Sequence, residues 1–315
     1  MQNLIIYFFG LFLSLGFLWL AAELSVKYSI KVSEMFGIDK LFLGFTFVAV
    51  ATGLPELSVA ICGLFEGIPT FSVGTILGSN ISDISLVLGL AILIYGVLKI
   101  SKHNGKESLL MLIITTLSCS FIFIVGYLNK YIGLFLILVY FITVYFLFNI
   151  SKNKPKNKVN LNFTLKEKII LIIKLLFSVG LVFVASEFAV KFSIIISRYL
   201  NISEHIIGVT ILAIGTSLPE LTLSLSAMRK KEYDIALGNS LGSVFEQGTL
   251  LIGIVALSSK DNISLKPLMS LIPYMFLPFL IILLAIIGRK KIGRLEACIM
   301  FLLFILFLAH QVFGF

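Results

Sequence analysis

Two octapeptides carry the residue types and spacing that could do chemistry in this chain: Ala213-Ile-Gly-Thr-Ser-Leu-Pro-Glu220 and Ala49-Val-Ala-Thr-Gly-Leu-Pro-Glu56. Each sets an acid inside a long apolar stretch, where a carboxylate at the bilayer centre costs about 2.5–3.5 kcal/mol. Two acids at that cost in matched positions point to a cationic ligand rather than to an ordinary buried carboxyl. On a helix, Ala213, Thr216, Ser217 and Glu220 fall at i, i+3, i+4 and i+7, so two hydroxyls and a carboxylate share one stripe. The first copy keeps Thr52 and Glu56. Pro219 lacks an N–H and its ring crowds the Gly215 carbonyl, and Pro55 does the same to Ala51, so both helices are expected to kink and release backbone oxygens. Carboxylates, hydroxyls and loosened carbonyls suit hard cations such as calcium and sodium. Without Cys or His they suit soft metals poorly.

A second pair of segments adds oxygen. Ser79 and Asp83 are i, i+4 neighbours within Gly74-Thr-Ile-Leu-Gly-Ser-Asn-Ile-Ser-Asp83, as are Ser243 and Gln247 within Gly238-Asn-Ser-Leu-Gly-Ser-Val-Phe-Glu-Gln247. Each pair sets a hydroxyl and a second oxygen on one helical face. Gly74, Gly78, Gly238 and Gly242 stand at GxxxG spacing, which permits close helix contact.

The elements that must position these residues are membrane helices. A chain of 315 residues that is 59% hydrophobic and 13% charged has no polar surface for an ordinary soluble domain. Apolar stretches of about 20 residues, enough to cross the hydrocarbon core, begin near Leu4, Leu41, Phe71, Leu109, Tyr131, Ile169, Ile206, Ile235, Leu268 and Leu295, which makes ten expected helices. The leader Met1-Gln2-Asn3 carries no positive charge, so the first stretch is expected to remain as a helix rather than be removed as a secretion signal.

The net charge of +9 does not indicate nucleic acid, because the basic residues alternate by loop. Nineteen Lys and Arg fall after the first, third, fifth, seventh and ninth segments and five on the other side. By the positive-inside bias both termini lie outside the cytoplasm, with the chain multi-pass in the plasma membrane. Lys174 is expected to reach the headgroups. Cys62, Cys119 and Cys298 read as buried, reduced thiols. Glu23 and Glu187, each four residues before a Lys, read as structural ion pairs. His103, His205 and His310 read as solvated or interfacial.

The chain also repeats. Adding 164 to a residue number carries Glu23 to Glu187, Gly44 to Gly208, Thr52 to Thr216, Pro55 to Pro219, Glu56 to Glu220, Gly78 to Gly242 and Ser79 to Ser243. Five crossings make one unit, and an odd number returns the second unit inverted, an arrangement of many secondary transporters. The expected fold is thus an all-α membrane protein of ten transmembrane helices in two inverted five-helix repeats, residues 1–148 and 169–315. A polar linker, 149–168, joins them on the cytoplasmic side and is too short for a folded domain.

These motifs resemble those of the sodium/calcium exchangers of the calcium:cation antiporter superfamily, and the compact prokaryotic type in particular, across nearly the whole chain. The resemblance implies calcium between Glu56 and Glu220 with backbone oxygens of Thr52 and Thr216. It implies sodium at the carbonyls of Ala49 and Ala213, at the hydroxyls of Ser217, Ser79 and Ser243, and at Asp83 and Gln247. The function it implies is antiport of calcium against sodium by alternating access, with the first and sixth helices moving against a core of the second, third, seventh and eighth. No enzymatic chemistry and no cofactor are expected; the partners are the transported ions and the bilayer, and the chain is expected to work as a monomer. A proton/calcium or potassium-dependent exchanger is the alternative, ahead of a passive cation channel or a membrane scaffold. The sequence departs from the family pattern in three places. Ala51 and Gly53 stand where Gly and Ser belong, the acid of the third and eighth helices sits at Asp83 with Gln247 opposite, and Val244 and Phe245 replace polar or small residues. Glu246 either lines the site or faces elsewhere.

Overall fold

The computed structural model describes residues 2–35, 52–100, 105–152 and 164–314. They are mostly helical, as expected of apolar segments that must satisfy every backbone polar group internally. In chain order the helices are α1 (Gln2–Met35), α2 (Leu54–Phe65), α3 (Pro69–Tyr95), α4 (Gly105–Val125), α5 (Lys130–Lys152) and α6 (Leu165–Leu200). After these come α7 (Glu204–Thr216), α8 (Leu218–Arg229), α9 (Tyr233–Glu246, continued through Gln247–Leu251 and Ile252–Ser258), α10 (Ile272–Ile287) and α11 (Arg294–Phe313). Among the described residues, 8 helices are long and apolar enough to cross a membrane, or 9 when the bent pair α7–α8 counts as one span. The expected crossing from Leu41 lies partly outside the described residues; α2 is its described part.

Two short antiparallel ribbons tie the halves together. β1 (Leu98–Lys99) pairs with β4 (Lys291–Ile292), and β2 (Tyr127–Leu128) pairs with β3 (Ile263–Ser264). Each ribbon takes one strand from each half of the chain. Backbone groups at helix ends that lack an intrahelical partner are satisfied this way.

The packing divides into two main apolar clusters. The larger is built from α3, α9, α10 and α11 with parts of α2, α4 and α5, and includes Val73, Leu77, Leu88, Leu241, Val255, Phe279 and Phe304. The second joins α1 and α6 through Leu11, Leu15, Leu18, Val182, Ala189 and Val190, and meets the rest at Val59, Phe71, Ile207 and Leu212. α1 and α6 run antiparallel, with Tyr7 against Tyr199 at one end and Lys174 over the Tyr28 ring, 5.9 Å from its centroid, at the other. α6 begins with a reciprocal cap in which Glu167 accepts from the Thr164 N–H and donates its own N–H to the Thr164 hydroxyl, satisfying two first-turn donors. Large apolar side chains such as Phe9, Phe12, Leu134 and Leu306 face outward, as a bilayer rather than water requires.

Several smaller expectations meet the structure here. Glu187 pairs with Lys191 at 2.6 Å on the exposed side of α6. His205 contacts the Ser203 hydroxyl, and His310 contacts the Tyr274 hydroxyl at 3.0 Å; His103 lies outside the described residues. The uniform burial expected of the thiols is corrected: Cys119 is buried, Cys62 half-buried and Cys298 exposed on the outer face of α11. An apolar outer face needs no protein cover in lipid, so hydrophobicity alone does not report burial inside the bundle.

Candidate cation site

The site is built on two helix breaks. α7 ends at Thr216, Ser217 lies between helices at φ −79°, ψ 4°, and α8 starts at Leu218 with Pro219 in its first turn and an axis bent by 41°. The Gly53 break before α2 has nearly the same backbone, φ −75°, ψ −4°, with Pro55 in the first turn. Proline is tolerated in a first turn because its missing N–H has no helical partner there. The continuous helical stripe expected of Ala213, Thr216, Ser217 and Glu220 is therefore corrected. Thr216 closes one helix, Ser217 stands at the N-cap position of the next without a side-chain cap bond, and Glu220, like Glu56, lies in the first turn of a new helix. The positive end of each helix dipole then faces its own carboxylate, which offsets part of the cost of burying it.

Glu56 and Glu220 are both fully buried and close enough to feel each other's charge and that of Asp83. Their surroundings cross between halves: the Thr216 side chain stands beside Glu56, and that of Thr52 beside Glu220. No hydrogen bond reaches any of the four carboxylate oxygens of Glu56 and Glu220 among the described residues. Buried charge of this kind persists only with a compensating ligand. Among the described residues no three Asp, Glu, His or Cys side chains converge as a metal cluster; neutral oxygens stand beside the acids.

Those neutral oxygens come largely from α3 and α9. The Ser79 hydroxyl meets the Thr216 hydroxyl at 3.1 Å and donates to the Ala213 carbonyl at 3.4 Å; Thr216 reaches the same carbonyl at 3.2 Å. The structure thus brings Ser79, Ala213 and Thr216 into one knot. Gly78 makes it possible, since a Cβ there would stand 2.5 Å from the Val209 carbonyl oxygen and 2.8 Å from its Cα. Gln247 donates from Nε2 to Asp83 Oδ2 at 2.8 Å across 164 residues of sequence, and Ser217 lies beside the same acid. Ser217 and Ser243 are buried, and neither hydroxyl has a hydrogen-bond partner among the described residues. Ala49 lies outside the described residues.

Both polar helices widen at the site. α3 turns π-helical over Ser82–Leu88 and α9 over Gln247–Leu251, so Asp83 and Gln247 each sit at the start of a π turn. Such turns misalign the backbone ladder locally and are frequent at functional sites. A third, Gly208–Leu212, precedes the break in α7.

Two residues outside the expected set join it. Asn239 donates through Nδ2 to the Glu220 carbonyl at 3.1 Å and to the Ser224 hydroxyl at 3.0 Å, anchoring α8 against α9. Its position within Gly238-Asn-Ser was the available signal. Glu246 is 2% exposed, its Oε2 is buried without a hydrogen-bond partner among the described residues, and it lies near Glu220 and Tyr140. It faces inward.

Comparison with known proteins finds relatives of the whole chain. The family model described as sodium/calcium exchanger protein matches residues 6–149 and again 170–313. The inner membrane protein YrbG of Escherichia coli (strain K12) is 31% identical over 238 residues, 72% of each chain. The sodium/calcium exchanger MaX1 of Methanosarcina acetivorans is 26% identical, covering 96% of this chain and 97% of its own. Among solved structures, the sodium-calcium exchanger NCX_Mj soaked with sodium and strontium superposes with a TM-score of 0.71 over 97% of this chain and 99% of that one, at 24% identity, which shows a shared fold.

Proposed function

Because the chain belongs to the sodium/calcium exchanger family, we propose that it is a secondary antiporter that moves calcium against sodium across the plasma membrane, its central ion held between Glu56 and Glu220. One observation carries this reading: two fully buried carboxylates without hydrogen-bond partners among the described residues, each flanked by a threonine from the other half. Oxygen ligands of this hardness suit calcium or several sodium ions. A site that must stay compensated while it passes between faces cannot cross empty, which couples the two ions. Sodium is held at the Ser79–Ala213–Thr216 knot, at its counterpart Ser243 and Ala49, at Ser217, and at Asp83 with Gln247.

The architecture behind this reading is two inverted five-helix repeats, residues 1–148 and 169–315, joined by a cytoplasmic linker at 149–168, with both termini outside. Its support is the second family match at the same spacing as the first, the paired π turns of α3 and α9, and ribbons that each take one strand from either half. Alternating access is a displacement of α1 and α6 against the core. The apolar cluster through which those two helices pack on each other supports it, since a pair packed together can shift as a unit against the residues it meets at Val59, Phe71, Ile207 and Leu212. No covalent step is involved, and one copy of the chain suffices for the cycle.

Radiocalcium uptake into proteoliposomes under imposed sodium, potassium or proton gradients tests the proposal. Uptake driven by an outward sodium gradient is expected. Uptake driven only by a proton gradient would make it a proton/calcium exchanger, and flux indifferent to every counter-ion gradient would make it a channel.

A further inference from the structure

The two central carboxylates sit on helices that are tied to different parts of the molecule. α8, which carries Glu220, is bonded to α9: Asn239 donates through Nδ2 to the Glu220 carbonyl at 3.1 Å and to the Ser224 hydroxyl at 3.0 Å. α2, which carries Glu56, is bonded instead to α6. The hydroxyls of Ser58 and Ser186, both buried, meet between these two helices. Each hydroxyl also stands within bonding distance of a carbonyl on its own helix, Pro55 at 2.9 Å and Val182 at 2.8 Å. A hydroxyl has one hydrogen, so one of the pair donates to its own helix and accepts the other's O–H across the gap. Ser58 is two residues beyond Glu56, in the opening turns of a regular helix, so α2 transmits a displacement at one to the other.

Neither tie has a counterpart in the other half. The offset of 164 sets Thr75 and Ala60 opposite Asn239 and Ser224. Thr75 donates its O–H to the Phe71 carbonyl of its own helix at 3.0 Å, and Ala60 has no hydroxyl. The same offset sets Thr222 and Ala22 opposite Ser58 and Ser186. Thr222 donates to the Leu218 carbonyl at 2.9 Å on the exposed side of α8, and Ala22 has no hydroxyl. Apolar packing divides in the same sense. Val59 of α2 belongs to the α1–α6 cluster, with Leu54 and Cys62 packed against it, while Ala60 joins the larger cluster. Ala227 and Met228 of α8 lie in that larger cluster.

We propose that Ser58 and Ser186 are a positioning pair that carries Glu56 with α6, while Asn239 holds Glu220 to the core, so that the two carboxylates change their separation when α1 and α6 shift. The inference rests on the exchange cycle proposed above. A cation held between two charges is attracted less as one of them moves away, so the displacement that changes access also changes the grip on the ion. Neither serine is an ion ligand, and each acts only through the helix that bears Glu56.

The test compares Ser58→Ala, Ser186→Ala and the double variant as full chains, by sodium-driven radiocalcium turnover in proteoliposomes and by equilibrium radiocalcium binding to the purified protein. Each single change is expected to lower turnover about tenfold, the scale on which one hydrogen bond enters a rate, with the calcium dissociation constant unchanged. The double change is expected to lower it no further, because either single change already removes the bond. Unchanged turnover, additive losses, or calcium binding that weakens in step with turnover would each overturn the proposal. Spin labels at Phe65 and Arg229, the exposed ends of α2 and α8, follow the motion with both serines in place. Their separation is expected to differ among ion-free, sodium-loaded and calcium-loaded protein; one separation in all three conditions overturns the proposal even where an alanine variant does not fold. Absence of sodium-driven uptake by the unaltered protein would instead overturn the exchange reading itself.

Discussion

Replacing Asp83 by Asn removes a charge while leaving the contact between halves in place. The Asn amide oxygen can still accept from Gln247 Nε2, now 2.8 Å from Asp83 Oδ2, so the change is from a charge-assisted to a neutral hydrogen bond. That costs about 1 kcal/mol of stability, too little to unfold the protein. The effect on ions is larger. For an ion held elsewhere in the site, taking an illustrative separation of about 8 Å and an effective dielectric of about 20, one carboxylate charge contributes about 2 kcal/mol per unit of cation charge. Each sodium ion then binds about 30-fold more weakly. With three working carboxylates, three sodium ions neutralise the site and one calcium leaves it one charge short, so exchange responds to membrane potential; removing the Asp83 charge alters that balance. In proteoliposomes, Asp83→Asn is expected to raise the sodium concentration for half-maximal calcium exchange by roughly that factor and to change the potential dependence. The double change Asp83→Asn with Gln247→Asp puts the acid on α9 and the amide on α3, restoring both the bond and the charge, and should recover most of the sodium response. Unchanged sodium and potential dependence in an intact Asp83→Asn protein would refute the assignment of working charge to Asp83.

Other consequences follow from the same geometry. Glu56→Gln and Glu220→Gln should each lower calcium transport at least about 1,000-fold, because each removes one of two charges facing a divalent ion at contact distance, worth about 4 kcal/mol or more; transport near normal in a variant with an intact size-exclusion profile would remove them from the ion site. Gly78→Ala should force α3 away from α7, since its Cβ would meet the Val209 backbone at 2.5 Å; a loss of about 1–3 kcal/mol is expected for such overpacking, measured as a lower thermal midpoint together with weaker sodium dependence through the displaced Ser79. Ser79→Ala should weaken sodium binding without touching the acids, read as a right-shifted sodium curve at unchanged protein yield. A cysteine placed at Lys156 should react with an impermeant reagent only from the cytoplasmic side, and labelling from outside intact cells would reverse the membrane orientation.

Much of this protein is legible in one dimension because the bilayer makes it so. A solvent that cannot hydrogen-bond forces apolar stretches into helices and makes any acid within them conspicuous, so the membrane class and the pair Glu56 and Glu220 follow from residue type and position. The repeat is equally local, since it needs only like residues at one offset, and proline beside Glu56 and Glu220 announces the helix breaks. Contact between distant residues is a different kind of information. That Ser79 closes on Thr216 and Ala213, that Asp83 accepts from Gln247, and that each Glu has the other half's Thr beside it depend on how α3 and α9 cross the broken helices. That crossing is set by packing at Gly78 and Val209 and by π turns that re-aim side chains without leaving a residue signature. Glu246 shows the limit most directly: its sequence position allows either a site-facing or an outward side chain, and only the packing of α9 shows it buried, near Glu220 and Tyr140.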